Sequence, residues 1–201
     1  MEVITLDKTN LELACGELMS KIDFRPDLVV GIANGGIFLL SAFGSTENFK
    51  NAYFKEIKPK RKVNIKNNFI VRFILRRIPV RLANYLRLIE SKKIQQSLGD
   101  LDLNKLTGFK LKLDMADLPK EKIEHILIVD DAIDTGKTMF VVKNNLNRLF
   151  TNAQIKTAVL SWTLTGSIVK PDYYMFKDVL VRYPWSKDFK ERHLELQSIG
   201  S

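Results

Sequence analysis

Three stretches of this 201-residue chain are apolar or β-branched along nearly their whole length rather than at alternate positions: Leu28-Val29-Val30-Gly31-Ile32, Ile126-Leu127-Ile128-Val129, and Thr157 to Leu160. A strand with one wet face alternates, because successive side chains point to opposite sides of the sheet, so a continuous run needs cover on both faces. The first two runs break at turn signals, Asn34-Gly35-Gly36 and Asp130-Asp131 followed by Gly136, and each then passes into a helical pattern. Those patterns are Ile37 to Phe43 in one case and Met139, Val142, Leu146, Leu149 and Phe150 in the other. Buried strands separated by helices predict an α/β fold, an open and mostly parallel sheet with helices on both faces, whose ligands sit beyond the C-terminal strand ends. Upstream, Thr9 and Glu12 have capping-box spacing and Leu11, Ala14, Cys15, Leu18 and Ile22 recur at helical intervals, which predicts a helix from about Asn10 to Ile22. The length suits a single domain, residues 1–201.

The net charge of +9 points to an anionic partner, and its distribution is uneven. Thirteen basic and two acidic residues lie between Lys55 and Lys93, so this window holds +11 and the rest of the chain −2. Residues 69–78 and 80–92 read as two helical stretches, with Pro79 at the start of the second and Arg72/Arg76 and Arg77/Arg81 four apart. A basic helical insertion over residues 55–105 is expected. A solvated face, a lid over an anionic substrate, a dimer contact, and a surface for nucleic acid or acidic membrane are all compatible with it. The lid or a homodimer contact is favoured, because the reaction inferred below needs shielding from water.

One cysteine, Cys15, allows no internal disulfide, and His125 and His193 are too far apart to form a metal cluster with it. The first residues lack the pattern of a secretory signal, and the most apolar run, 69 to 89, contains five arginines, too many for a spanning helix. A cytoplasmic location is expected. Cys15 and His125 read as structural.

The segment that carries chemistry is Ile126 to Met139, ILIVDDAIDTGKTM. Two carboxylates end a strand, and a short D-T-G-K-T turn opens a helix, where successive amides, the helix dipole and the Thr135 and Thr138 hydroxyls make a nest for phosphate. A Walker A loop fits Gly136-Lys137-Thr138 but needs glycine where this chain has Asp131. Paired carboxylates would repel a triphosphate, whereas they can accept hydrogen bonds from sugar hydroxyls. The turn therefore reads as a site for a ribose 5-phosphate.

This segment resembles the phosphoribosyl diphosphate (PRPP) motif of the type I phosphoribosyltransferases, and its D-T-G-K-T form is most similar to the branch acting on hypoxanthine, guanine or xanthine. Pro26 to Phe38 (PDLVVGIANGGIF) looks like the first strand and diphosphate loop of that family, and Lys170 to Asp188 (KPDYYMFKDVLVRYPWSKD) like its base-binding segment. Within that resemblance, residues 161–201 would form a C-terminal hood. It implies that Asp130 and Asp131 bind the ribose hydroxyls, that the loop of Asp134, Thr135, Gly136, Lys137 and Thr138 holds the 5-phosphate, and that Asn34, Gly35 and Gly36 lie along the diphosphate. Asp134 would be the catalytic base, and Mg²⁺ would enter on the diphosphate. The implied activity is Mg²⁺-dependent transfer of phosphoribosyl from PRPP to a purine or purine-like nitrogen base.

Departures concentrate on the base side. Asn34 stands where the family often has a basic residue, Ser161 or Trp162 where a lysine would meet a purine oxygen, and Ser186 where an acid would follow Tyr183-Pro184-Trp185. Val179 and Leu180 occupy the stacking position, so Trp162, Val179, Leu180 and Trp185 are the candidate base pocket. The alternative function is a PRPP- or nucleotide-sensing regulator that has lost efficient base chemistry and uses its basic insertion on nucleic acid.

Overall fold

A computed structural model describes residues 1–58, 78–96, 98–99 and 102–190. Arg72, Arg76 and Arg77, with most of the first expected helical stretch, lie outside the described residues, as do residues 191–201 of the expected hood.

The main sheet has five strands in the order β3 (Tyr53–Ile57), β2 (Leu28–Ile32), β4 (His125–Ile133), β5 (Gln154–Trp162), β6 (Tyr173–Lys177), and every neighbouring pair is parallel. The three continuous apolar runs form its centre, as their composition predicts. Leu28, Val30, Ile32, Ile126, Ile128 and Val159 pack on one face against Met139, Val142 and Leu146 of α5 (Lys137–Leu149). Val29, Leu127, Val129, Ala158 and Leu160 pack on the other, against Leu11 and Leu18 of α1 (Lys8–Ser20) and Leu39 and Phe43 of α2 (Ala33–Gly44). Alternate residues of each strand thus enter two cores, the physical basis of an uninterrupted apolar run.

From β2 the chain moves outward to β3, whereas β4, β5 and β6 are added on the opposite side. Strand order reverses between β2 and β4, and the helices that follow them lie on opposite faces of the sheet. Such a switch point leaves a crevice at the C-terminal strand ends. A second, two-stranded parallel sheet pairs β1 (Glu2–Thr5) with β7 (Val179–Arg182). Asp178, at φ 57°, makes the sharp turn by which the chain leaves β6 for this small sheet.

Several boundaries differ from the sequence expectation. Helix α1 starts earlier because Asp7 is its cap, accepting from the Asn10 amide at 2.7 Å, and not Thr9. Leu149 is 39% exposed, since it ends α5 beyond the buried stripe, while Phe150 is in the core. Lys55 to Ile57, assigned to the insertion, belong to edge strand β3. The second helical stretch forms α3 (Val80–Gln96), whose first bonds run from Leu82 and Ala83 amides to the Pro79 carbonyl, and a short α4 (Leu103–Thr107) follows. Asn34, Gly35 and Gly36 form the first turn of α2 and not a loop ahead of it. Among the described residues, no helix is long and apolar enough to cross a membrane.

Two glycines test this packing. A Cβ on Gly36 would lie 2.6 Å from the Val129 carbonyl oxygen and 2.9 Å from Gly31 backbone carbon, so Gly36→Ala should destabilise by about 1–3 kcal/mol. Gly16, within α1, has nothing within 4 Å of that position, and Gly16→Ala should stabilise by about 0.5–1 kcal/mol. Urea denaturation of both variants, read as opposite shifts of the midpoint, checks the prediction.

Candidate functional site

Strand β4 outruns β2. Its pairing with β2 ends at Gly31 opposite Val129, but pairing with β5 continues through Asp130, Ala132 and Ile133. The two carboxylates therefore emerge where β2 has given way to the first turn of α2. Asp130 is buried, and one of its oxygens accepts from the Asp131 amide at 2.9 Å. The Asp131 carboxylate lies against Gly35, where a Cβ would be 2.1 Å from its Cγ; any larger residue at 35 would expel the acid. Two residues far along the chain hold Asp131: Trp185 Nε1 donates to Oδ2 at 2.8 Å, and the Tyr183 hydroxyl donates to the Asp131 carbonyl at 2.8 Å. Burial, reinforced by the charges of Asp131, Asp130 and Asp134, pushes the Tyr183 hydroxyl well above its ordinary pKa, so it remains a donor.

After β4 the chain turns through exposed Asp134, half-buried Thr135 and buried Gly136 into α5. Gly136 has φ 80°, and a Cβ there would also be 2.8 Å from the Val169 amide nitrogen, so both conformation and space require glycine. The Thr135 carbonyl accepts from the Ile168 amide at 3.0 Å, and its hydroxyl from the Lys137 amide at 3.3 Å. The N-cap residues of α5 and α2, Gly136 and Ile32, make no side-chain cap bond, and Thr135 takes one amide of α5. Both helices thus present their positive ends to the crevice, an arrangement suited to anionic groups.

The crevice is a cavity of about 690 Å³. Asn34, Gly35, Asp130, Asp131 and the turn from Asp134 to Thr138 line its floor, with Leu180 and Trp185 on the side of the small sheet. Three expected residues stand apart from the lining. Gly36 is packed on β4; Val179 gives its carbonyl to the Ser161 hydroxyl at 2.8 Å; and Trp162 is in the core, with Nε1 donating to Ser167 at 2.9 Å. Ser161 is fully buried, so its hydroxyl ties β5 to β7.

The remaining wall is α3, which brings Leu86, Arg87 and Glu90 to the cavity. Arg81, expected to act there, is exposed and outside the lining; Arg87 instead anchors the helix. Its Nε and Nη2 donate to the two Asp188 oxygens at 2.8 and 2.5 Å. Arg182, 1% exposed, donates to the same Asp188 at 2.9 Å, to Thr5 of β1 at 2.9 Å and to Asn84 of α3 at 2.6 Å. Burial lowers the Arg182 pKa, opposed by Asp188. Burial would raise that of Asp188, but Arg87 and Arg182 more than reverse it and hold the carboxyl far below its usual range. The sequence reading passed over Arg87, Arg182, Tyr183 and Asp188. The last three fall in the quoted C-terminal segment, but nothing in the sequence pairs Asp188 with Arg87, 101 positions away.

No protein-family model and no curated protein sequence matches the chain. Solved structures match it in fold. A purine phosphoribosyltransferase from Pyrococcus horikoshii is 21% identical with a TM-score of 0.56, covering 92% of this chain and 95% of its own. A Helicobacter pylori xanthine-guanine-hypoxanthine phosphoribosyltransferase is 14% identical with a TM-score of 0.54, covering 99% and 96%. A Neisseria gonorrhoeae hypothetical protein with bound ppGpp is 15% identical with a TM-score of 0.59, covering 100% and 98%. The chain has the α/β fold of the purine phosphoribosyltransferases.

The ion cluster yields a stability prediction. Asp188→Asn leaves Arg182 buried without its counter-charge and should cost about 3 kcal/mol at pH 7. Because the folded pKa of Asp188 is depressed, its contribution is full above the unfolded value of about 3.9 and is lost as pH falls below it. The stability gap between wild type and variant, measured by denaturant melts, should therefore stay constant above about pH 5 and narrow progressively as pH falls from about 4 toward 2.

Proposed function

We propose that this protein transfers a phosphoribosyl group from PRPP to a purine or purine-like nitrogen base with release of diphosphate. The observation that carries the reading is the convergence, in one cavity at the switch point, of a carboxylate pair, the turn opening α5 and the uncapped first turn of α2. In this reading Asp130 and Asp131 accept from the ribose hydroxyls. The amides and hydroxyls from Thr135 to Thr138, with the Lys137 ammonium, hold the 5-phosphate. Asn34, Gly35 and the helix end behind them take the diphosphate.

Diphosphate departure leaves positive charge on the sugar carbon. Carboxylates fixed beneath the sugar stabilise that charge, while helix ends and lysine stabilise the leaving group. Asp134, exposed at the mouth of the turn, takes the proton from the attacking ring nitrogen. The carboxylate oxygens of Asp130 and Asp131 suit a hard cation, and among the described residues no group of three or more His, Cys, Asp or Glu forms a metal cage. With the diphosphate of PRPP as its main ligand, Mg²⁺ would supply positive charge that stabilises the leaving group. A cytoplasmic, homodimeric enzyme is part of the same proposal.

A second reading has its own support: the Neisseria neighbour carries ppGpp, and Ser161 and Trp162, either of which would stand where the family's lysine meets a purine oxygen, are both buried and hydrogen-bonded, to Val179 and Ser167. A nucleotide-binding regulator with weak or absent transfer would share the phosphate turn and the acid pair. The basic residues between Lys55 and Lys93 would then serve nucleic acid, with affinity falling steeply as salt rises.

A screen of nitrogen bases with PRPP and Mg²⁺, reading diphosphate release, separates the two. The transferase reading predicts turnover with at least one base, and binding without any diphosphate release would favour the regulator. Asp134→Asn should retain PRPP binding and lower kcat by roughly 10²–10⁴-fold. Saturating PRPP should raise the wild-type Tm by mass action, and replacing Asp130 and Asp131 together with Ala should abolish the shift.

A further inference from the structure

The tryptophan expected in the base pocket is turned toward the sugar side of the cavity. Trp185 Nε1 donates to Asp131 Oδ2 at 2.8 Å, and an indole can only donate. Its ring is stacked on Tyr183 with centroids 5.0 Å apart and planes 5° from parallel, so that face is closed to a base. Phe38 of α2 lies against it at 5.3 Å. Tyr183 in turn donates its hydroxyl to the Asp131 carbonyl. Residues 183 and 185 thus grip both backbone and side chain of one carboxylate, from 52 and 54 positions away.

We infer that Trp185 is a positioning residue for Asp131, fixing the orientation of the carboxylate that meets the PRPP sugar; the inference rests on the PRPP reading above. An aspartate carboxylate rotates in a broad, two-fold torsional well and has no strong preference of its own. Three acids, Asp130, Asp131 and Asp134, line the same cavity, and like charges drive one another apart. The indole N–H holds Oδ2 against that repulsion, and the missing Cβ of Gly35 leaves the space that the carboxylate occupies. The C-terminal segment therefore acts on the sugar half of the site as well as on the acceptor half.

Trp185→Phe keeps the aromatic stack and deletes the donor. The KM for PRPP should rise about 10–100-fold, the loss of one hydrogen bond to a charged group, and kcat should fall with it because Asp131 also faces the developing cation, while the KM for the base changes less than threefold. A tryptophan that instead stacks on the base would raise the KM for the base, and that outcome overturns the inference. An unchanged KM for PRPP also overturns it. A second measurement reads the bond in proteins that keep Trp185. The chain has two tryptophans, so its ¹H–¹⁵N spectrum holds two indole resonances, and Trp162→Phe assigns them. The Trp185 resonance should shift in Asp131→Asn and again when PRPP is added to wild type, and a resonance indifferent to Asp131→Asn contradicts the hydrogen bond. Wild-type protein that binds no PRPP would sink the underlying reading and this inference together, whereas wild-type binding matched by Trp185→Phe sinks the inference alone.

Discussion

The close approach between the first turn of α2 and the end of β4 is the constraint on which the site depends. Gly36 seats its backbone against the Val129 carbonyl, and Gly35 lets the Asp131 carboxylate lie where a side chain would otherwise be. These two positions bring the positive end of one helix and a pair of carboxylates into contact across the strand reversal between β2 and β4. On the other side of β4, the left-handed Gly136 starts α5 so that its own N-terminus opens into the same space. A cavity with acids at its centre and helix ends on two sides separates positive from negative work. The acids suit hydroxyls and a developing cation, and the helix ends suit phosphates.

The second layer of the site comes from the chain ends. β1 and β7 form a small sheet, and Arg182 at its edge is buried among Thr5, Asn84 and Asp188, joining N-terminal strand, α3 and C-terminal segment by charge-assisted bonds. Arg87 completes the cluster and holds α3 as a wall of the cavity. Such a cluster is costly to break on one side and contributes direction more than net stability. Here it fixes which face of α3 the cavity meets, and the Tyr183–Trp185 pair beside it reaches Asp131.

How much of this was legible follows from the range of the interactions. The central strands could be read because burial on both faces is written locally, in runs such as Leu28–Ile32. The turn after Asp131 was legible for the same reason: its acids, glycine and threonines are neighbours in sequence. β1 and β3 escaped because they are short edge strands of four and five residues, and Lys55 and Glu56 interrupt the apolar run of Tyr53–Ile57. The Arg87–Asp188 pair and the Trp185–Asp131 bond were invisible because each depends on the fold bringing distant positions together. Trp162 and Trp185 looked equivalent in the sequence, yet one is bound to Ser167 in the core and the other to a carboxylate in the cavity.

The central claim is that the crevice at the β2–β4 switch point is a phosphoribosyl site with a fixed polarity. A crystal structure of the protein with PRPP and Mg²⁺ tests it most directly. The ribose hydroxyls should lie within hydrogen-bond distance of Asp130 and Asp131, the 5-phosphate on the amides of Thr135 to Thr138, and the diphosphate toward Asn34 and Gly35. PRPP bound with its phosphates exchanged between the two helix ends, or bound outside this cavity altogether, would contradict it.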